Sequence, residues 1–77
     1  MLELIVLENC PYCKKVMNFM HENDIDFKKI DISSNKESEE ALIKMGGKRQ
    51  VPFLVDKDRN LQMYESSDII EYVKTLK

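Results

Sequence analysis

A chain of 77 residues is long enough for one small domain, and we expect a single domain over residues 1–77. The 12 basic and 14 acidic residues nearly balance and form no long basic run, which argues against nucleic acid and anionic membranes as partners. The longest apolar runs are about four residues, far short of a membrane-spanning helix.

The first residues and the cysteine content indicate a reducing compartment. Glu3 interrupts the only early apolar run and no basic segment precedes it, which is unlike a secretory signal peptide. Cys10 and Cys13 are the only cysteines, and a disulfide between them closes too short a loop to stabilise the fold much. Secreted disulfide scaffolds carry more cysteines at longer spacings. We therefore expect a redox dithiol in a cytoplasmic protein.

The first part of the chain has the pattern of a strand, a helix and a second strand. Residues 2–7 are apolar and rich in β-branched side chains, which predicts a buried strand. Pro11 is favoured as a first helical residue, and residues 27–32 return to strand composition. The two strands are expected to be parallel, joined by a right-handed crossover. The predicted buried side of the helix consists of Cys13, Val16, Met17 and Met20.

Residues 33–47 predict a second helix. Ser34 and Glu37 have the spacing of a capping box, in which each side chain binds the free amide of the other residue. Two glycines at positions 46 and 47 are typical of a helix end. The predicted buried side consists of Ala41, Leu42 and Met45.

The last part of the chain predicts two antiparallel strands and a helix. Residues 51–56 and 61–65 have strand composition and flank a polar turn. Residues 66–76 form a helical pattern, with Ser66 as the expected cap. The element order β-α-β-α-β-β-α predicts an α/β fold with helices on the faces of a mixed sheet.

Cys10 and Cys13 are the candidate catalytic residues. With Pro11 as the first helical residue, Cys10 occupies the N-cap, where free amides and the helix dipole favour a thiolate over a neutral thiol. Cys13 lies one turn further along the helix, on its buried side. This arrangement predicts an exposed thiolate that attacks disulfides and a shielded thiol that resolves the resulting mixed disulfide.

Two other interpretations of the cysteine pair are weaker. A partly exposed helix start is a poor position in which to bury an inert cysteine. A structural zinc site needs more ligands than two cysteines and the single histidine, His21, supply, unless two chains share the metal. We therefore expect no metal site, with His21 on the solvent side of its helix.

The Val51–Pro52 segment is a candidate for binding a peptide. If this peptide bond is cis, the N–H and C=O of Val51 turn away from sheet pairing. They could then bind an extended thiol peptide lying beside Cys10, in the manner of an added strand. A proline at a strand start also occurs in ordinary edge strands, so the segment becomes informative only together with the dithiol.

The start of the last predicted helix is a candidate site for a charged head group. Free amides at Ser66 and Ser67 would receive a carboxylate, with help from the helix dipole. Glu65 would receive an adjacent ammonium. A group that carries both charges on one carbon is the head of a γ-glutamyl peptide.

Three segments, CPYC, QVPFL and YESSDI, together resemble the glutaredoxins of the thioredoxin-fold superfamily. The resemblance extends over the whole chain in element order. It implies a thioredoxin fold, with a four-stranded mixed sheet in the order 2-1-3-4, three helices and a cis Val51–Pro52 bond. It also implies Cys10 as nucleophile, Cys13 as resolving thiol, and glutathione as co-substrate without a bound cofactor. The backbone of Val51 would bind the cysteinyl part of glutathione.

The sequence departs from the glutaredoxin pattern in three places. Leu7 stands where many small glutaredoxins carry a lysine, and Glu8 adds an anion, both of which disfavour a neighbouring thiolate. Gln50 replaces the usual threonine before Val-Pro. YESSDI replaces a Gly-Gly-x-x-Asp loop, and together with GGKRQVP it is similar to glutathione transferase N-terminal domains and to the two-domain, transferase-like glutaredoxins.

The glycyl carboxylate of glutathione needs a cation at the other end of the site. Lys48 and Arg49, just before Val51–Pro52, are the nearest candidates, and Tyr12 would flank the same end. The alternative for Lys48 and Arg49 is an ordinary solvated pair, since exposed ion pairs contribute at most about 1 kcal/mol.

We expect a monomeric thiol–disulfide oxidoreductase that uses glutathione to reduce protein disulfides and glutathionylated proteins. One alternative is a redoxin that is reduced by a thioredoxin-type reductase, like those that supply ribonucleotide reductase. Another is an iron–sulfur carrier in which Cys10 of two chains and two glutathiones hold a cluster. Glu65 and Ser66 favour glutathione, whereas the missing upstream lysine and the lost Gly-Gly motif count against it. Pro11 argues against the cluster carrier, because it stiffens the loop and the family's cluster carriers more often lack this proline.

Overall fold

The computed structural model describes residues 2–76, which form four strands and three helices in the predicted order. The strands are β1 (Leu2–Val6), β2 (Lys28–Asp31), β3 (Phe53–Asp56) and β4 (Leu61–Met63), and the helices are α1 (Pro11–Glu22), α2 (Lys36–Gly46) and α3 (Ser66–Lys74). Each strand is shorter than its predicted segment, because composition does not mark the residue at which ladder pairing ends. None of the described helices has the length and apolar character needed to cross a membrane.

The four strands form one mixed sheet in the order β2-β1-β3-β4, as predicted. β1 pairs in parallel with β2, with Val6 opposite Asp31, and antiparallel with β3, with Ile5 opposite Phe53. β3 and β4 form the predicted antiparallel hairpin. A sheet of this order with a helical crossover between its first two strands is the thioredoxin fold, which confirms the predicted class.

The core has one part on each face of the sheet. Successive residues of a strand point to opposite faces, so Leu4 and Ile5 of β1 belong to different parts. α1 and α3 cover the first part and α2 covers the second, so β1 is buried on both sides, as its continuous apolar run predicts. The helix residues buried in the first part are Cys13, Val16, Met20, Ile69 and Val73.

The start and the packing of α2 differ from the prediction. Asn35 caps the helix by accepting a hydrogen bond from the Ser38 amide at 3.1 Å, so the predicted capping box of Ser34 and Glu37 is wrong. Ser33, Ser34 and Asn35 could each cap a helix, and which of them does so depends on where the chain leaves β2. The positive φ of Gly47 does end the helix, as predicted.

The predicted buried side of α2 is largely wrong as well. Only Leu42 is buried, whereas Ala41 and Met45 are exposed. With Leu42 facing the sheet, Ala41 is turned by about 100° around the helix axis. Met45 lies in the last turn of the helix, where 41% of its surface remains accessible.

Asp56, at the end of β3, is the one charged residue that is buried within residues 2–76. Its carboxylate accepts hydrogen bonds from the Tyr72 hydroxyl of α3 and from the Arg59 guanidinium, the latter at 3.2 Å. The bond from Tyr72 lowers the pKa of Asp56, and Arg59 adds to this effect against the opposing influence of burial. Asp56 therefore ties α3 to the β3–β4 hairpin in its ionised form.

A lowered carboxyl pKa makes a contribution to stability that depends on pH. This contribution is present above the unfolded pKa, ordinarily 3.8, and is lost as the pH falls through the lower folded pKa. We expect Asp56→Asn to lower the midpoint of thermal unfolding clearly at pH 7 and less at about pH 3, where the contribution has begun to be lost. Asp26→Asn, an exposed control, should change the midpoint little at either pH. An equal decrease for Asp56→Asn at both pH values would contradict this role.

Candidate active site

The dithiol lies at the start of α1, where the sequence places it. Pro11 is the first helical residue and Cys10 is the N-cap, with extended backbone angles. The Cys10 Sγ accepts a hydrogen bond from the Cys13 amide at 3.2 Å. Cys10 is half-buried and Cys13 is fully buried, so the two thiols differ in access to solvent as predicted.

The buried thiol of Cys13 is strongly biased towards its protonated form. Burial raises the pKa of Cys13 to about 12, with further contributions from the hydrogen bond and charge of Cys10 and from the charge of Asp31. A backbone contact from Leu7 acts in the opposite direction. At neutral pH Cys13 is therefore a thiol, and Cys10 is the member of the pair that can act as a nucleophile.

Asp31 is a charged neighbour of the dithiol that the sequence analysis missed. It lies at the end of β2, where the Ser33 amide donates to its carboxylate at 2.9 Å, and the hydrogen bonds from Ser33 lower its pKa. It lines a cavity of about 130 Å³ together with Glu8, Lys14 and Lys29. The alternation of strand residues could have indicated its position, because it pairs with Val6 in the strand that leads to Cys10.

A groove of about 370 Å³ contains most of the predicted ligand-binding residues. The Val51–Pro52 bond is cis, as the resemblance implies. Val51 and Cys10 both pack against the same part of the core, which connects the groove to the dithiol. The residues that line the groove are Tyr12, Gln50, Val51, Pro52, Glu65 and Ser66.

The two predicted cations are engaged outside this groove. The Lys48 ammonium lies 4.9 Å from the centre of the Tyr64 ring. The Arg49 guanidinium lies 3.3 Å from the Glu39 carboxylate on α2. Their predicted contact with a glycyl carboxylate stays a prediction that requires both side chains to change partner.

Gln50 is a groove residue that the sequence analysis treated only as a departure from the glutaredoxin pattern. Its side-chain amide donates a hydrogen bond to Glu65 Oε1 at 2.9 Å, across the groove. The sequence signal that could have placed Gln50 in the groove is its position directly before Val51–Pro52. The bond fixes one oxygen of the Glu65 carboxylate and leaves the other oxygen for a further donor.

The start of α3 differs in one respect from the prediction. Glu65, rather than Ser66, is the N-cap, and it has a positive φ of 57°. Within the described residues 2–76, the Glu65 side chain makes no capping hydrogen bond to α3. Ser66 lines the groove and Ser67 is exposed in the first turn. The first-turn amides of α3 therefore lack the side-chain cap that the sequence predicts.

The structure also shows the surroundings of His21 and of the possible metal ligands. His21 is exposed, as predicted, and its ring lies 5.4 Å from that of Phe27. Within residues 2–76, no three His, Cys, Asp or Glu side chains are grouped closely enough to hold a metal ion.

The fold and the site together define a thioredoxin-fold protein with a CxxC dithiol at a helix start and a cis proline beside it. The sequence profile of the glutathione S-transferase N-terminal domain matches residues 4–77. The chain therefore belongs to this family, within the thioredoxin-fold superfamily, and it is similar to glutaredoxins.

Individual relatives are similar over different shares of their length. Glutaredoxin 1 of Rickettsia felis is 33% identical over 51 residues, which cover 64% of this chain and 50% of the relative. The chain thus spans about half the length of the curated relatives it matches.

The fold is similar to those of many solved structures, which include the following two. The glutaredoxin-like NrdH-redoxin of Escherichia coli has a TM-score of 0.78 and 25% identity over 94% of this chain and 92% of its own. Glutaredoxin 2 of Salmonella typhimurium, solved in complex with glutathione, has a TM-score of 0.83 and 26% identity over 99% of this chain and 34% of its own.

Proposed function

We propose that the chain is a glutathione-dependent thiol–disulfide oxidoreductase that reduces glutathionylated proteins and protein disulfides. The observation that carries this proposal is the groove, which is lined by Val51, by Glu65 and by Tyr12 of the helix that starts after Cys10. The Salmonella relative was solved with glutathione, which supports the same ligand here. The chemistry requires free thiols, so we place it in the cytoplasm, with the chain acting as a monomer.

The first reaction uses Cys10 alone. Its thiolate attacks the glutathione sulfur of a glutathionylated protein, which forms a Cys10–glutathione disulfide and releases the protein thiolate to take a proton from water. The thiolate of a second glutathione then attacks the glutathione sulfur of that mixed disulfide. Oxidised glutathione leaves and the Cys10 thiolate is restored. One glutathione thiol is oxidised to the disulfide level, its disulfide partner is the glutathione that the client carried, and the client regains its thiol.

The second reaction uses both cysteines. Cys10 attacks a protein disulfide and forms a mixed disulfide with the client, after which the Cys13 thiolate attacks the Cys10 sulfur and releases the second client thiolate. The bond between Cys10 and Cys13 is later reduced by two glutathiones.

The environment of Cys13 changes during this second reaction. Once the Cys10 sulfur is part of a mixed disulfide, its charge no longer raises the pKa of Cys13, while the effects of burial and of Asp31 persist. The pKa of Cys13 therefore falls at the stage at which Cys13 must become a nucleophile. The resolving thiol is held protonated until Cys10 has reacted.

Glutathione is recognised by both walls of the groove. The N–H and C=O of Val51 pair with the cysteinyl part of glutathione, and the free oxygen of Glu65 takes the γ-glutamyl ammonium. The uncapped amides at Ser66 and Ser67 receive the γ-glutamyl carboxylate. Tyr12, which is 64% exposed, covers the glycyl end.

A second candidate is a redoxin that takes electrons from a thioredoxin-type reductase. The E. coli NrdH-redoxin is a glutaredoxin-like protein with a thioredoxin-like activity profile. Its structure matches this chain over nearly the full length of both proteins. Leu7 also stands where many small glutaredoxins carry a lysine before the first cysteine, which is a departure from the glutathione-dependent pattern. Glutathione remains our leading proposal for the reductant, supported by the presence of the anionic Glu65 in the lining of the groove.

We expect Glu65→Ala to raise the KM for glutathione about tenfold to hundredfold. The substitution leaves the ligand ammonium without its counter-charge, and a hydrogen bond to a charged group contributes about 1.5–3 kcal/mol. Glu65→Gln, which retains an acceptor for Gln50 but not the charge, should also raise KM. The measurement is steady-state turnover at varied glutathione concentration, together with the rate of Cys10 alkylation, which should not change.

Glu71→Ala is the matched control for this test. Glu71 lies on the exposed side of α3, where it pairs with Lys74, and its removal should leave the KM for glutathione unchanged. An unchanged KM in Glu65→Ala would remove the γ-glutamyl site and would favour the reductase-fed redoxin.

A further inference from the structure

Two segments that are distant in sequence are tied together beside the groove. Residues 46–50 precede the cis proline, and residues 64–65 precede α3. The Tyr64 hydroxyl donates a hydrogen bond to the Lys48 carbonyl at 2.8 Å, and the Lys48 ammonium lies over the same ring. We refer to these two hydrogen bonds, from the Tyr64 hydroxyl to the Lys48 carbonyl and from Gln50 to Glu65, as the clasp.

Tyr64 is itself held firmly by its surroundings. Its ring packs against Phe53 of β3, with the ring centres 4.6 Å apart. On the other side, a Cβ atom at Gly46 would lie 1.9 Å from the Tyr64 hydroxyl oxygen. The close approach of the ring to the end of α2 therefore requires glycine at this position. These contacts restrict the Tyr64 ring, so its hydroxyl can hold the loop that contains Lys48.

The loop that Tyr64 holds has no regular secondary structure. The chain from Gly47 to Pro52 forms neither helix nor strand, so sheet hydrogen bonds do not set its position. The Lys48 carbonyl is only three residues away from Val51, which lines the groove. A contact that fixes Lys48 therefore also limits the positions that the Val51 backbone can occupy.

We propose that Tyr64 is a positioning residue that, through its hydrogen bond to Lys48, holds the Val51 backbone in the orientation that binds glutathione. The choice of glutathione as the ligand rests on the proposed function, whereas the contact between Tyr64 and Lys48 does not. A loop that is ordered before binding loses less conformational freedom on binding, so the clasp acts on affinity for the ligand. The dithiol lies on α1, outside the clasp, and its intrinsic reactivity is not involved.

The clasp also accounts for two motifs that occur together in the sequence. GGKRQVP supplies the glycine that makes room for the ring, the carbonyl of Lys48 and the amide of Gln50. YESSDI supplies the Tyr64 hydroxyl and the Glu65 carboxylate. Each motif provides one half of the same set of contacts.

The test is Tyr64→Phe, which removes the hydroxyl and keeps the ring. Backbone order parameters from ¹⁵N NMR relaxation should fall at Arg49, Gln50 and Val51, from the rigid range of about 0.85 towards the flexible range below about 0.6, with those of β3 unchanged. The KM for glutathione should rise about twofold to tenfold, as expected for the loss of one hydrogen bond. The kcat and the rate of Cys10 alkylation should stay at their parent values.

Tyr72→Phe is the matched control, because it removes the same hydroxyl from a tyrosine bonded to Asp56, outside the clasp. It should lower the midpoint of thermal unfolding without changing the order parameters of the loop or the KM. Unchanged loop order parameters in Tyr64→Phe, or lower order parameters with an unchanged KM, would overturn the proposal. An equal rise of KM in Tyr72→Phe would also overturn it, since the effect would then be general destabilisation. If the parent shows no glutathione turnover, the proposed function fails, and the order parameters alone decide whether Tyr64 holds the loop.

Discussion

Cys10→Ser should abolish the reduction of both glutathionylated peptides and protein disulfides. Cys10 is the partly exposed thiol at the start of α1, and both proposed reactions begin with its attack. A serine hydroxyl does not ionise near neutral pH, and it forms no disulfide with the substrate. Cys13 cannot replace it, because that thiol is fully buried and has a pKa of about 12.

The loss in Cys10→Ser is expected without a loss of the fold. A serine oxygen can accept the hydrogen bond that the Cys13 amide now donates to the Cys10 sulfur, and serine is a favoured N-cap residue. The thermal unfolding midpoint should therefore stay close to that of the parent. Activity is measured by release of glutathione from a glutathionylated peptide, and substantial residual turnover would show that another group is the nucleophile.

Cys13→Ser should separate the two proposed reactions. Reduction of glutathionylated peptides should be retained, since this route needs only Cys10 and glutathione. Reduction of protein disulfides should fall by about 100-fold or more, because attack from within the same molecule has a very high effective concentration. If both activities fell equally, the route through Cys10 alone would be wrong.

A single-turnover experiment on the parent reports Cys13 directly. The mixed disulfide between Cys10 and glutathione is prepared without free glutathione, and the release of glutathione by Cys13 is followed against pH. Because the pKa of Cys13 is raised above the neutral range, the rate should increase with pH from 6 to 9, by up to about tenfold per pH unit. A rate independent of pH over this range would show that Cys13 is already ionised in the mixed disulfide.

The start of α1 could be predicted well because its determinants are local. Pro11 favours the first helical position, and the cap at Cys10 and the burial of Cys13 follow from helical spacing. The start of α2 was predicted wrongly although its signals are also local. Ser34 and Asn35 are both good caps, and the sequence does not show at which of them the chain leaves β2.

The contacts between distant segments could not be predicted from the sequence. Gln50 bonds to Glu65, and Tyr64 to Lys48, only because the hairpin brings residues 61–65 back beside the cis proline. No spacing rule relates these pairs. The groove residues could be named from their motifs, whereas the engagement of Arg49 with α2 depends on how that helix packs.

The buried carboxylate of Asp56 illustrates the same limit. In the sequence it is the polar residue at the end of a strand, followed by a turn. Its partners Tyr72 and Arg59 come from α3 and from the hairpin turn, and they meet only after α3 has packed on the sheet. The sequence predicts the elements, and the folded chain determines which polar groups are paired between them.

The central claim is that glutathione is the reductant, and reduction of the oxidised protein tests it most directly. The protein with a Cys10–Cys13 disulfide is mixed either with glutathione and glutathione reductase or with a thioredoxin reductase, with NADPH consumption recorded in both cases. We predict rapid reduction by glutathione at about millimolar concentration, slower reduction in Glu65→Ala, and little reduction by the thioredoxin reductase. Rapid reduction by the thioredoxin reductase, with no reduction by glutathione, would contradict the proposed function.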